Sequence, residues 1–271
     1  MRILRQGIIF SLALGFTVFP ASAFGASDSP DGDPQGMRGA AEQLFALANQ
    51  TRAHYGRGSL QWDPALAASA LQHCVRMTQG GPLSHQYRGE PDVTLRAGRA
   101  GAHFSLIEEN IAVGPYASGI HQEWMNSPGH RANLLNTAID RVGIAVLARG
   151  GSLYAVADYA RAVPVLTQAQ VEGAFAVMLR ARGLSVLKDS SAARAWCASS
   201  GHFKPADAAS FLMRWQGSDV TQLPAELARR VASGEFREAA VGSCAAGSVD
   251  GGFTAYRVAV LLYGANRAAL P

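Results

Sequence analysis

The stretch Ser105–Asn136, SLIEENIAVGPYASGIHQEWMNSPGHRANLLN, decides how the rest of the chain is read, because it gathers Glu108, Glu109, Glu123, His121, His130 and Trp124 around one helix start. In the run Asn126-Ser127-Pro128-Gly129-His130, Asn126 or Ser127 can cap orphan amides and Pro128 suits the first helical position. His130 then falls in the first turn. There the partial positive charge of a helix N-terminus disfavours the imidazolium form and leaves the ring free to bind a metal or accept a proton. A surface histidine in a capping turn is the plainer reading of the same residue. Ahead of this turn, Ala117–Met125 predicts a short helix carrying Glu123 and Trp124, and Ile111–Val113 a short strand or an extended link.

Downstream, Val142–Ala148 and Leu153–Tyr159 are β-rich runs joined through Arg149, Gly150, Gly151 and Ser152, a hairpin signal. Upstream, Leu44, Leu47, Ala48 and Thr51 repeat at helical spacing over Ala40–His54, and Gly56 and Gly58 end the pattern. A second helix starts at Asp63-Pro64, with Asp63 as cap, and runs to Thr78 before Gly80-Gly81-Pro82 stops it. His85 follows in irregular chain, and Gln86–His103, full of Gly and Arg, reads as loop or weak helix. Helices before and between strands that close in an antiparallel hairpin predict an α+β layered domain.

With 271 residues, 48% of them hydrophobic and 16% charged, the chain can bury one large core or two modest ones. The opening Met1-Arg2-Ile3-Leu4-Arg5 and the apolar run Gly7–Phe19 have the form of a secretory signal, with Ala21-Ser22-Ala23 or Phe24-Gly25-Ala26 as cleavage sites. The apolar run is short for a membrane span, so export of a mature chain without a transmembrane segment is expected, a retained N-terminal anchor being the alternative. Three cysteines allow one disulfide. Cys197 and Cys244 share the C-terminal region and are the expected pair. Cys74 lies on a helix face with Ala67, Ala70 and Leu71, which suits a buried inert thiol. The net charge of +4 comes without a dense basic run, so a solvated surface is expected rather than a nucleic-acid partner.

Taken in order, Asn49-Gln50-Thr51-Arg52, then Leu60, Trp62-Asp63, Leu66, Ala70, Ser84-His85, Glu109-Asn110-Ile111-Ala112, Trp124 through Asn133, and Val142-Gly143 resemble the bacterial branch of the CAP superfamily. These are the SCP-like, or cysteine-rich secretory, antigen 5 and pathogenesis-related 1, domains. The resemblance covers about residues 40–161. It implies an α-β-α sandwich, an extracytoplasmic place, and a cleft with two His and two acids that in some members binds zinc or another divalent cation. His85, His130 and Glu109 match the motif and are the candidate metal ligands. Glu108 replaces the family's Gly, and Ser127 stands where many animal members carry the second acid. Glu123, four positions before Ser127 on one helical face, is the alternative fourth corner. A metal-bound water beside Glu108 or Glu123 is a chemical route to hydrolysis, with Glu109 and Glu123 as candidate catalytic residues. However, no His-Glu-x-x-His pair, Gly-x-Ser-x-Gly elbow or Cys-x-x-Cys accompanies it. The expected function is an exported binding or interaction module, secreted or periplasmic, holding a lipid, an envelope fragment or a protein partner. The alternative is a divalent-metal-dependent hydrolase of the envelope.

The C-terminal part echoes this domain. Glu172, Phe175 and Arg182 follow Glu42, Phe45 and Arg52 at one constant offset; Leu187 echoes Leu60, Trp215 echoes Trp124, Val241-Gly242 echoes Val142-Gly143, and Tyr256 and Val258 echo Tyr154 and Val156. The expected organisation is a signal peptide at 1–26, a flexible lead-in at 27–39, a CAP-like domain at 40–161, and a smaller α+β domain at 162–271. That last domain reads as a truncated, degenerate CAP-like repeat without a site, or else as an unrelated small domain.

Overall fold

The computed structural model describes residues 34–199, 209–244, 247–248 and 252–264. The expected signal sequence and its expected cleavage sites lie outside the described residues. Helix α1, Pro34–His54, starts inside the stretch expected to be a lead-in, and Leu44, Ala48 and Arg52 form its buried stripe. Strand β1 is only Gln61–Trp62. Helix α2, Pro64–Thr78, begins as expected: the Asp63 carboxylate accepts from the Ala65 and Leu66 amides at 2.8 and 3.0 Å, and Pro64 needs no partner.

Within Gln86–His103, expected to be loop or weak helix, α3 spans Val93–Arg99 with Asp92 as its cap. Strand β2 runs Phe104–Gly114, far longer than the expected link at 111–113, because Glu108 and Glu109 are strand residues despite their charge. Helices α4, Ala117–Asn126, and α5, Pro128–Leu135, meet at Ser127. Strands β3, Arg141–Arg149, and β4, Ser152–Ala162, form the predicted hairpin.

The sheet order is β1-β3-β4-β2. Strand alternation sends Ile144 and Val146 toward Leu44, Ile120 and Trp124 of α1 and α4, and sends Ala145 and Val156 toward Ala70, Cys74 and Met77 of α2. This is the α-β-α sandwich. Asn49 brackets Leu60 by bonds in both directions, 3.1 and 2.7 Å, and buried Arg52 donates to the carbonyls of Gly58, Leu134, Asn136 and Ile139. Both residues therefore tie loops to α1.

The C-terminal half contains α6, Gln168–Arg180; β5, Ser185–Val186; α7, Ser191–Ala198; β6, Phe211–Gly217; α8, Ala225–Ala232; β7, Phe236–Ser243; β8, Gly247–Ser248; and β9, Thr254–Gly264. Its sheet runs β5-β7-β9-β6, with the short β8 on β9. β5 is parallel to β7, and β7 and β6 are antiparallel to β9, the directions of the corresponding strands of the first sheet.

Two sequence echoes do not survive in space. Trp124 is a helical residue on α4 and Trp215 a strand residue on β6. Leu184, buried directly before β5 as Leu60 is before β1, takes the place assigned to Leu187. The glycine echo holds. A Cβ on Gly143 would meet the Ala67 amide at 1.9 Å and one on Gly242 the Arg194 amide at 2.2 Å, so in each half a helix lies directly on a strand.

Cys197 and Cys244 form a disulfide with Cα atoms 5.6 Å apart, joining α7 to the end of β7. Cys74 is free and buried, and burial pushes its thiol up to about 12. Gly143→Ala should lower stability by about 2–3 kcal/mol, because backbone rather than a flexible side chain occupies the space. Gly129→Ala, with nothing within 4 Å, should change little. Thermal melts of the two variants check this, and equal midpoints would contradict the close approach.

Candidate functional site

β2 is an edge strand of the first sheet, and its alternation deals the adjacent carboxylates to opposite faces. Glu108 turns toward the α1 and α5 layer, where Asn136 donates to its Oε1 at 2.7 Å and its Oε2 is buried without a partner. Burial pushes this carboxyl up, with the Asn136 bond opposing. Glu108 is therefore not beside the water-activating position that its sequence neighbourhood suggested.

Glu109 turns to the other face. Its Oε1 lies 2.8 Å from His85 Nδ1, and its Oε2 accepts from Arg96 Nη2. The Arg96 and Glu109 side chains are 1% and 4% exposed, so this is a buried ion pair, whereas the His85 side chain is 56% exposed and opens to solvent. Arg96 arrives on α3, reaches the Pro91 carbonyl, and stands 3.7 Å from Glu90. The Glu90 carboxylate in turn meets His73 Nδ1 at 2.8 Å and accepts from the Tyr87 amide at 3.0 Å, while His73 Nε2 faces the Ser84 carbonyl. Both nitrogens of buried His73 thus hold the loop that presents His85.

Asp158 lies opposite Glu109 in the β2–β4 register and is fully buried. Burial first, and then the charge of Glu109, raise it well above the usual carboxylate range, which favours the neutral acid. Ser69 on α2 donates to its Oδ2 at 2.7 Å.

His130 comes from the first turn of α5 and Pro128 takes the first helical position as expected, but neither Asn126 nor Ser127 caps the orphan amides: Ser127 stands at the N-cap without a side-chain cap bond. Asn110 donates to its carbonyl at 2.9 Å, and Asn133 donates to Asn110 Oδ1 and to the Glu109 carbonyl, so α5 is pinned to β2 beside the histidine pair. The ring centroids of His85 and His130 lie 6.2 Å apart. Their environments push them apart in titration. The Glu109 bond raises His85 against an opposing burial cost, and burial followed by the nearby His85 lowers His130. The direction for His130 is that expected of a helix start, but burial and His85 are what produce it.

Of the candidates from sequence, His85, Glu109 and His130 converge at the β2 edge. Glu123 is exposed on α4, and its carboxylate has no hydrogen bond or ion pair among the described residues. Trp124 is fully buried and donates to the Ile111 carbonyl, a core residue as expected. His121 is buried against Thr51 and also structural.

Sequence reading missed Arg96, Asp158, Glu90 and His73. Asp158 left a legible signal, a lone acid at an inward position of an apolar strand. Arg96 left none, since nothing in an Arg-rich loop marks which arginine turns inward. Among the described residues no group of three His, Cys, Asp or Glu stands arranged to hold a metal.

The family model described as the cysteine-rich secretory protein family, CAP, matches residues 45–159. The chain is 31% identical over 109 residues to the uncharacterized membrane protein YlbC of Bacillus subtilis, a match covering 39% of this chain and 31% of that protein. It thus spans less than a third of that relative's length. Among solved structures, an extracellular SCP-domain protein from Bacillus anthracis shares 29% identity, with coverage of 48% and 44% and a TM-score of 0.43. NaASP2, solved with Zn2+, shares 14% identity, with coverage of 48% and 84% and a TM-score of 0.34. The matched residues 45–159 lie within the first sandwich and show that this part of the chain is similar to the CAP family of cysteine-rich secretory proteins.

Proposed function

We propose that the protein is an exported binding module whose His85–His130 cleft holds a divalent cation, with zinc the best match to paired imidazoles. The observation that carries this reading is the His85 Nδ1 contact to Glu109 Oε1, which leaves Nε2 of His85 free of the carboxylate, with the His130 ring centroid 6.2 Å from that of His85. Glu109 then orients a ligand instead of being one, the arrangement of a carboxylate behind a metal-binding histidine. Arg96, paired to its other oxygen, makes Glu109 a poor direct ligand and a poor general base. This favours binding over hydrolysis.

Two protein ligands leave further positions to solvent or to a partner's donor group, so the cation would act as a docking point. The C-terminal half adds no second cleft. Its register sets Ala259 and Arg214 where the first sheet has Asp158 and Glu109. We read it as a degenerate copy of the first domain that braces α3, since Gly252 packs on the Thr94 carbonyl and on Gly98. Export rests on the N-terminal signal sequence; no described helix is long and apolar enough to cross a membrane.

Zn2+ added to the purified chain should shift the ring signals of His85 and His130 together. His85→Ala or His130→Ala should abolish binding, and Glu109→Gln should weaken it about 10–100-fold. Unmoved histidine signals at millimolar Zn2+ would overturn the metal reading. Without metal, NMR titration should place His85 above and His130 below an ordinary imidazole, and Glu109→Gln should lower His85. Because the proton competes with the ion, affinity should rise with pH through the raised His85 titration. The stabilisation of the fold by the His85–Glu109 contact has the opposite sense: it is complete below the ordinary imidazole range and lost as pH rises through the raised value.

A further inference from the structure

On the sheet edge opposite the histidine cleft, β3 has a partner only at its start. β1 pairs with Arg141 and Val142, and the Asp63 amide donates to the Val142 carbonyl at 2.9 Å. Antiparallel alternation then turns the N–H and C=O groups of Ile144 and Val146 to that same outer side. Among the described residues nothing bonds to them there. The edge forms the floor of a groove of about 850 Å³ between the two helical layers. Its walls are Arg38, Glu42 and Phe45 of α1 and Ala67, Ala68 and Leu71 of α2, with Trp62 at one end. Trp62 and Leu71 are 40% and 44% exposed.

The second sheet shows the same edge closed from within. There Ser243, next to Gly242 as Ile144 is next to Gly143, donates its amide to Glu172 Oε1 at 2.8 Å and accepts at its carbonyl from Gln168 Nε2 at 3.0 Å. Arg194 of α7 holds Glu172 in place through a double contact of 2.8 and 2.7 Å. In the first domain Glu42, the residue the sequence matches to Glu172, lines the groove, but Ala67 stands on β3 where Arg194 stands on β7. The carboxylate is kept and the counterpart of Arg194 is missing; Arg38, one turn before Glu42 in the same wall, forms no ion pair with it among the described residues.

We propose that this groove binds an extended segment of a partner protein, which adds a strand to β3, places apolar side chains against Trp62 and Leu71, and brings a basic side chain to Glu42. Main-chain pairing supplies the donors and acceptors that Ile144 and Val146 lack, and the arginine or lysine takes the role that Arg194 plays internally. An acyl chain would fill the apolar walls but would leave the edge amides and carbonyls without water or partner, which is costly. A second copy of this chain cannot pair β3 with β3, because each edge is recessed between its own helices. The proposal is independent of any metal at His85 and His130, which lie at the other edge.

The test is selection of a displayed random heptapeptide library on the full mature chain, with counterselection on Ala67→Arg, which restores the cation that closes the second sheet. Leu71→Glu, at an exposed wall position, serves as a second variant should Ala67→Arg fail to fold. Surviving peptides should be β-branched with a basic residue. As synthetic peptides they should bind the wild-type chain at least tenfold tighter than either variant, and slow amide exchange at Ile144 and Val146 at least tenfold. Failure to recover any peptide sensitive to either variant would overturn the proposal, as would binders that leave those two amides exchanging freely. Palmitate binding that is lost in Ala67→Arg, with no peptide binding, would overturn it in favour of an acyl site. The histidine signals should not move in any arm.

Discussion

The buried ion pair between Arg96 and Glu109 is the contact on which the rest of the site depends. Both side chains are almost wholly removed from water, so neither charge is tolerable without the other, and loss of one partner from such a pair costs about 3–5 kcal/mol. The pair fastens α3 to β2, fixes one oxygen of Glu109, and thereby leaves the other to His85. Burial first, and then the charge of Glu109, push the Asp158 carboxyl upward, with Arg96 opposing. His73 and Glu90 extend the network to the loop that carries His85. A solvent-open histidine is in this way held by groups that solvent does not reach.

The two halves of the chain use one sheet plan for different ends. Each has a two-residue first strand, a glycine where a helix lies on the next strand, and an edge strand left bare beyond its short partner. An uncovered edge is a hazard, since its free amides and carbonyls invite other strands. The second sheet covers its edge with Gln168, Glu172 and Arg194, whereas the first leaves a groove walled by α1 and α2. The ionisable interior follows the reverse pattern: Asp158 and Glu109 in the first half correspond to Ala259 and Arg214 in the second. One half is open and charged inside, the other closed and apolar. The contact of Gly252 with α3 links them, because α3 carries Arg96.

Much of the first domain was legible from the sequence because its signals are local. The Asp63 cap, Pro64 and Pro128 at first helical turns, and the strand runs on either side of Gly150 and Gly151 each specify backbone over a few residues, and each forms as expected. The motif order from Asn49 to Gly143 singled out His85, Glu109 and His130, which the fold brings together at the β2 edge. The reading fell short at β2, expected as a short strand or link at 111–113 but running as a strand through Glu108 and Glu109, and it left Gln86–His103 open between loop and weak helix, where α3 forms. These charges find partners distant in sequence that local propensity cannot register.

The sequence by itself indicated the layered α+β class and the Cys197–Cys244 disulfide, and it singled out His85, His130 and Glu109, which the fold brings together. Only the tertiary structure decided that Arg96 pairs with Glu109, that Glu108 faces away, that Asp158 is the buried neighbour of Glu109, and that one sheet edge is closed while the other is open. The physical reason is the same throughout. Caps, turns and strand alternation act between near neighbours along the chain, whereas the state of a buried charge or a bare strand edge depends on what the other layers of the sandwich bring to it.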